Sequence, residues 1–231
     1  INGYLEMVAE EFEGRMEPRH ERMLDATRRN VARLRLLIDD LLTLQRIEGS
    51  TQQMEPVDLV ALIHDVVMDV KITAARRGIR IGVHATAPTV SVLADRAMLH
   101  RAFLKVVTNA VKFSPDDEVV DVDVTTGRGQ VEVAVTDHGI GIPSGELDRL
   151  GTRFFRASNA ITNEIAGTGL GVRIMQTIID RHGGAVVFDS EEGVGTTVYV
   201  RLPAHVGAPR SELVAPADPA LDVDSTPEPA S

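Results

Sequence analysis

One helical seam constrains the fold of this chain more than any other feature of its sequence. Seven positions recur at alternating spacings of four and three: Met23, Thr27, Asn30, Leu34, Leu37, Leu41 and Leu44. This spacing places the side chains along one stripe, which a helix buries against neighbouring helices. Ile38 and Leu42 widen the stripe to the width that a four-helix bundle requires.

A shorter seam precedes it, so residues 1–50 are predicted to form a helical hairpin. Its positions are Ile1, Leu5, Val8 and Phe12. Gly14 and Pro18 then interrupt the pattern. A hairpin that stays alone is one possibility. Because two helices by themselves bury little apolar surface, we favour half of a four-helix dimerisation bundle, completed by a second copy of the chain.

Beyond residue 57 the pattern changes to helices and strands. Asp58 and Asp95 are placed to cap helices over residues 59–77 and 96–113, and a third helix is predicted over residues 170–182. Strands are predicted over residues 79–85, 90–93, 119–125, 130–136, 185–190 and 196–202. Helices and antiparallel strands in separate runs indicate an α+β fold, a two-layer sandwich with helices on one face of the sheet.

These patterns divide the chain into four parts. Residues 1–50 are the hairpin, 51–56 a linker, 57–203 the α+β domain and 204–231 a tail. In the tail the apolar periodicity stops, and Pro, Ala, Asp and Ser dominate. Such a composition cannot bury enough surface to offset its ordering entropy, so the tail is predicted to be disordered.

Composition excludes several classes of function. The formal net charge of −10 argues against a nucleic-acid-binding surface, although a local pocket can still bind one anion. The absence of cysteine excludes disulfides, thiol nucleophiles and thiolate metal sites. A membrane helix needs about 18 consecutive apolar residues, and the best candidate, residues 34–44, is interrupted by Arg35, Asp39 and Asp40.

Four short motifs are candidates for chemistry. They comprise residues 109–113 at the end of a predicted helix, 137–142 after a strand, 167–171 at the start of a helix, and 193–197 in a hairpin. The glycines of residues 167–171 could present backbone N–H groups to a phosphate, aided by the helix dipole. Each motif alone has an ordinary structural explanation, respectively a packed helix, a tight turn, a glycine-rich cap and a hairpin loop.

In this order and spacing the motifs resemble the N, G1, G2 and G3 boxes of bacterial sensor histidine kinases. Phe154-Phe155-Arg156 stands where the F box belongs, between G1 and G2. Residues 36–44 are similar to the end of the family's second dimerisation helix, and residues 181–184 and 198–203 to its closing segments. The resemblance covers residues 1–203. It implies the ATP-binding fold that these kinases share with gyrase, heat-shock chaperones and mismatch-repair ATPases.

The resemblance implies ATP and Mg²⁺ as ligands, with the base and the metal held as follows. Asn109 is expected to ligate Mg²⁺, which prefers oxygen ligands. Asp137 is expected to accept a hydrogen bond from the adenine amine, which guanine lacks at that position. Gly139 and Gly141 would leave space for the base and let the backbone turn sharply. The cofactor-binding set also includes Thr196, near the adenine, and Phe113.

The phosphates are expected to lie along the second glycine motif, at Gly167, Thr168, Gly169, Leu170 and Gly171. The resemblance gives Lys112 the role of a point charge on the phosphates. The resemblance also implies that Arg156 contacts the γ-phosphate during transfer, provided that residues 143–166 close as a lid.

The sequence departs from the family at several places, among them Val172 in place of the usual leucine and Phe113, which lacks the hydroxyl group of a tyrosine. Lys105 stands where the family often has asparagine; a cation cannot ligate Mg²⁺, so Lys105 either contacts phosphate, which we favour, or extends into solvent. His138 replaces a common asparagine and is expected to face solvent. The family's phosphoacceptor histidine is expected upstream of Ile1, since none of the seven histidines of this chain stands in its context.

The resemblance therefore implies a protein histidine kinase that transfers the γ-phosphoryl group of ATP to an upstream histidine, for relay to a response-regulator aspartate. The chain alone is expected not to autophosphorylate. It would be the cytoplasmic part of a membrane-anchored sensor kinase, homodimeric, without nucleic acid, and attached to a membrane only through upstream segments. One alternative is a nucleotide-binding dimerisation module that lacks transfer activity or uses a separate phosphoacceptor chain. An ATPase of the gyrase or chaperone type is disfavoured by residues 154–156 and by the hairpin.

Overall fold

A computed structural model describes residues 3–4, 7, 11–12, 17–49 and 53–205. Most of the predicted first seam, including Ile1, Leu5 and Val8, lies outside these ranges, as does the predicted tail from residue 206 onward. The described part of the chain holds no helix long and apolar enough to cross a bilayer.

The predicted long helix is present as α1, Pro18–Gly49. The apolar side chains of its seam are buried at some positions and exposed at others. Leu44 and Ile47 are buried in the core of the following domain, and Leu37 is partly buried against the same core. Leu34 and Leu41 remain exposed, together with Ile38 and Leu42, so this apolar stripe is left uncovered within the described residues.

A five-stranded sheet forms one layer of the domain. Its strands are β2 (Arg80–Ala85), β4 (Val119–Gly127), β5 (Gln130–Asp137), β6 (Ala185–Glu191) and β7 (Gly195–Pro203), in the order β2-β4-β5-β7-β6. Alternate residues such as Val122, Val133 and Val200 are buried on one face, as their period of two predicts. β2 pairs with β4 in parallel, whereas the other pairs are antiparallel. The sheet is therefore mixed, because a helical crossover between β2 and β4 returns the chain in the same direction.

Three helices cover the buried face: α2 (Leu59–Ala75), α3 (Arg96–Phe113) and α5 (Gly171–Arg181). The two predicted caps are confirmed. The Asp58 side chain accepts from the backbone N–H groups of Val60 and Ala61, and the Asp95 side chain accepts from Met98. The fully buried side chains of Leu99, Phe103 and Ile174 join these helices to the sheet.

A small second sheet pairs β1 (Glu55–Asp58) antiparallel to β3 (Ser91–Ala94). We did not predict β1, because its four residues fell across the predicted linker and are too few to show alternation. At the other end of the domain, Ala204 bridges to Val92 and its N–H group donates to the Gly129 carbonyl. The paired structure thus extends one residue past the predicted boundary at Pro203.

The segment between β5 and α5 has little regular structure. It contains a 3-10 helix, Ser144–Arg149, and a short helix α4, Ser158–Thr162. Phe154 and Glu164 adopt positive φ angles of 64° and 54°, in the region that favours glycine. This segment brings Arg156 next to α3 and the glycine motif that begins α5.

Candidate functional site

Three cationic side chains gather beside the second glycine motif. Lys105 and Lys112 lie on α3, and Arg156 comes from the segment between β5 and α5. Burial, and after it the positive charges of Arg156 and Lys105, lower the pKa of Lys112 to about 8. The Nζ atom of Lys112 also lies 4.4 Å from the centroid of the Phe113 ring. Three half-buried cations lie close together here, and the repulsion between them makes this a site that an anionic ligand would stabilise.

Gly167 forms the wall of this cluster. A Cβ atom placed on Gly167 would lie 3.0 Å from Nζ of Lys112 and 3.9 Å from Nε of Arg156. The glycine thereby keeps the backbone of the motif open toward two cations, as a loop that binds phosphate requires. The structure thus brings Lys112, Arg156 and Gly167 together.

The rest of the second glycine motif is held tightly. Gly169 has φ +75°, and a Cβ atom there would lie 2.6 to 2.8 Å from backbone atoms of Phe154. The Leu170 side chain is fully buried in the core, so only its backbone can face a ligand. Thr168 Oγ1 accepts from the N–H group of Leu170 at 3.2 Å, one residue before Gly171 begins α5.

Arg156 is partly committed to its own segment. Its Nη2 atom donates to the carbonyl groups of Ile165 and, at 3.4 Å, of Ala160. These bonds fix the guanidinium against the end of α4. These two bonds use only Nη2, so the Nε and Nη1 donors are not engaged by them, and Nε is the atom that faces Gly167.

Asp137 lies at the end of β5 and is buried. Burial raises the pKa of its carboxyl group to about 6, although backbone donation from Gly139 and Thr196 and the charge of His138 act in the opposite direction. The Gly139 N–H group donates to Oδ1 of Asp137 at 3.0 Å. The Thr196 hydroxyl bonds to Ser190 at 2.8 Å, on the adjacent strand.

The two glycines of the first motif are needed for contact with neighbouring backbone. A Cβ atom on Gly139 would lie 2.3 Å from the Phe113 carbonyl oxygen, and one on Gly141 would lie 1.9 Å from that of Glu191. The N–H group of Ile140 also donates to the Phe113 carbonyl. The turn of residues 137–142 thus packs closely between the end of α3 and the β6–β7 hairpin, and this packing holds Asp137 next to both.

Asn109 is half-buried on α3, one turn ahead of Lys112. In the part of the chain that the structure describes, no group of three or more His, Asp or Glu residues is placed to hold a metal ion. A Mg²⁺ ion would therefore need phosphate and water oxygens in addition to Asn109. This set suits Mg²⁺, which commonly takes one or two protein ligands and completes its shell with substrate phosphates and water.

Lys105 makes a contact that we did not predict. Its Nζ atom donates to Oδ1 of Asp40, on α1, at 2.7 Å, and Thr168 Oγ1 donates to Oδ2 of the same carboxylate at 2.7 Å. Sequence reasoning missed Asp40 as part of this site. The available signal was a charged residue within an otherwise apolar helical stripe.

Asn159, on α4, was also missed. Its Nδ2 atom donates to the carbonyl groups of Ile140 and Gly141 at 3.2 and 2.9 Å, which joins the segment before α5 to the first glycine motif. Its Oδ1 atom is buried and has no hydrogen-bond partner among the described residues. Nothing in the sequence around Asn159 indicated this role.

Comparisons with known proteins agree with this geometry. Residues 94–206 match the family of Histidine kinase-, DNA gyrase B-, and HSP90-like ATPases. Sensor protein kinase WalK of Staphylococcus aureus is 30% identical over 214 residues, which cover 89% of this chain and 50% of WalK. The chain thus spans about half the length of this relative, and about a third of other WalK sequences that it matches.

Two solved structures are also similar. The mycobacterial sensor histidine kinase MprB is 32% identical with a TM-score of 0.58, and the match covers 66% of this chain and 98% of that one. Full-length ShkA, solved in complex with AMPPNP, is 26% identical with a TM-score of 0.67, covering 88% of this chain and 42% of that one.

Proposed function

The chain belongs to the sensor histidine kinases, and on that premise we propose that it binds Mg·ATP as the phosphoryl donor for a histidine. The observation that carries the proposal is the cationic cluster of Lys105, Lys112 and Arg156 beside Gly167. Burial, followed by the charges of Arg156 and Lys105, lowers the pKa of Lys112, so a bound anion would stabilise the charged form of this side chain. The complex of the similar protein ShkA with AMPPNP, an ATP analogue, supports the same ligand class.

The proposed pose of ATP follows from where the charges lie. Asp137 accepts from the adenine amine at the end of β5, and Thr196 and Phe113 lie at the same end of the site. Lys112 and the backbone of residues 167–171 bind the phosphates. Asn109 contributes one oxygen to a Mg²⁺ ion that is otherwise bound by phosphate and water oxygens.

Transfer of the γ-phosphoryl group needs positioning and charge neutralisation more than covalent participation by the protein. A histidine nitrogen attacks the γ-phosphorus in line, and the bond to the β–γ bridging oxygen breaks, which releases ADP. We assign to Arg156 the neutralisation of charge on the transferring group, with the segment before α5 moving as a lid. The acceptor is a histidine outside this chain, and a response-regulator aspartate is the next acceptor.

The proposed quaternary structure is a homodimer. The exposed stripe of Leu34, Ile38, Leu41 and Leu42 on α1 supports it, since such a stripe is normally covered in a four-helix bundle. We place the domain on the cytoplasmic side of a membrane-anchored kinase, where a response regulator is available.

A nucleotide-binding module without transfer activity is the second candidate. Two observations favour it: Lys105 replaces the usual asparagine and is bound to Asp40, and Arg156 is bound to the carbonyls of its own segment. In that case ATP would bind and no phosphoryl transfer would follow.

Incubation with γ-labelled ATP and Mg²⁺ tests the proposal. We expect no stable histidine label on this chain, and acid-labile label on a version extended upstream through the expected acceptor helix. Absence of label on both, with ATP bound, would favour the module without transfer. Label on this chain that disappears in His20→Gln would contradict the upstream acceptor.

A further inference from the structure

Asp40 is a buried charge at the contact between α1 and the domain. It is 7% exposed and lies on the face of α1 that also carries Leu37, Leu44 and Ile47. The carboxylate is thus the polar member of an apolar stripe. A buried carboxylate costs free energy unless its oxygens are paired, and here each oxygen has its own partner.

Both partners of Asp40 belong to the proposed phosphate site. Oδ1 accepts from Lys105 on α3, and Oδ2 accepts from Thr168 in the second glycine motif, each at 2.7 Å. One carboxylate on α1 therefore connects the two elements that would hold the phosphates of ATP.

These bonds compete directly with a phosphate. A threonine hydroxyl has one proton to donate, so Thr168 cannot donate to Asp40 and to a phosphate oxygen at the same time. Lys105 has three protons, but a carboxylate on its ammonium group offsets the charge that a phosphate would use. The negative charge of Asp40 would also repel phosphates bound beside the same two groups.

We propose that Asp40 is a positioning residue that couples the docking of α1 to the nucleotide site. The bonds of Asp40 to Thr168 and Lys105 fix α1 on the domain. Nucleotide phosphates take over these two partners, which leaves the Asp40 carboxylate without its bonds and favours release of α1. The coupling is reciprocal: if nucleotide binding weakens the docking of α1, then a change that weakens the docking of α1 must strengthen nucleotide binding. The inference rests on the proposed function, because it requires that phosphates bind at this cluster.

Affinity for Mg·AMPPNP, measured by calorimetry on the whole chain, tests the coupling. Asp40→Asn removes the competing charge at nearly constant volume and should raise the affinity about fivefold or more. Asp39→Asn is the matched control, because it makes the same change at the neighbouring position, where the carboxylate is exposed. Its affinity for Mg·AMPPNP should stay within about twofold of that of the parent protein. A gain of affinity cannot arise from misfolding.

An unchanged or weaker affinity in Asp40→Asn, with normal binding by the parent protein, would overturn this inference and leave the proposed function standing. Failure of the parent protein to bind any adenine nucleotide would overturn both.

A distance measurement reports on α1 itself. The chain has no cysteine, so Gln45→Cys on α1 and Asp180→Cys on α5, both exposed, can carry a pair of spin labels. We expect Mg·AMPPNP to lengthen or broaden the distance distribution, and Asp40→Asn to broaden it even without nucleotide. Identical distributions with and without nucleotide would contradict release of the helix.

Discussion

A Cβ atom on Gly167 would lie 3.0 Å from the Nζ atom of Lys112. This closeness ties the first residue of the glycine motif to the cation at the end of α3, although 54 residues separate them along the chain. An added Cβ would meet only the flexible end of the lysine, which can move aside, so the fold would tolerate a side chain here. The same Cβ would occupy space that a bound phosphate needs, so binding would not tolerate it.

We therefore expect Gly167→Ala to separate binding from stability. Its affinity for Mg·ATP should fall about tenfold, which corresponds to about 1.4 kcal/mol, while its unfolding temperature stays close to that of the parent protein. The comparison is Gly169→Ala, where a positive φ and the Phe154 backbone both oppose a side chain. That variant should lose about 1–3 kcal/mol of stability. Equal loss of stability in the two variants, measured by denaturant titration, would contradict the role of Gly167.

The lowered pKa of Lys112 predicts how nucleotide affinity depends on pH. Without ligand the group loses its proton around pH 8. Bound phosphate favours the charged form and raises this pKa, so the contribution of Lys112 to affinity is fully present below about pH 8 and declines as the pH rises above it. Calorimetry in buffers of different ionisation enthalpy should detect proton uptake on binding near pH 8.5, a value about half a unit above that pKa. Lys112→Met should bind more weakly and abolish this uptake. Persistence of the uptake in Lys112→Met would assign it to another group.

The raised pKa of Asp137 predicts that nucleotide affinity also declines at acidic pH. Below about pH 6 the carboxyl group is protonated, so it accepts less well from the adenine amine, and affinity for ATP should fall as the pH decreases through that value. Stability changes in the opposite sense: because the folded-state pKa is raised, stability is lost as the pH rises through about 6.

Asp137→Asn should weaken ATP binding about tenfold or more and should keep the fold, since an amide oxygen can still accept from Gly139. Asp180→Asn makes the same chemical change at an exposed position of α5 and serves as the control. Equal affinities of the parent protein for ATP and GTP would refute the adenine-reading role.

Asn109→Ala should abolish the enhancement of nucleotide binding by Mg²⁺ and leave the helical fold intact, since alanine is favourable in a helix. The measurement is the ratio of ADP affinities with Mg²⁺ and with EDTA, which should approach one. Thr108→Ala, at an exposed neighbouring position of α3, should keep the ratio of the parent protein. If Asn109→Ala unfolds, or keeps its metal dependence, Asn109 is a packing residue.

The sequence by itself determined the elements that rest on local chemistry. The α3 boundaries, the caps Asp58 and Asp95, and the order of the glycine motifs follow from spacing and residue type, and the structure contains them. The order of the motifs also pointed to Lys112, Arg156 and Gly167 as site residues, whereas their proximity to one another comes from the structure.

The tertiary structure alone decided what α1 contacts. The seam from Met23 to Leu44 predicts a packed helix but cannot specify its partner, and Leu44 packs on the domain while Leu41 stays exposed. Asp40 meets Lys105 and Thr168 across 65 and 128 residues of sequence. Periodicity reports only which side chains share a face of one element. The burial of a charge between two elements depends on how they dock, which pairs groups that no local pattern connects.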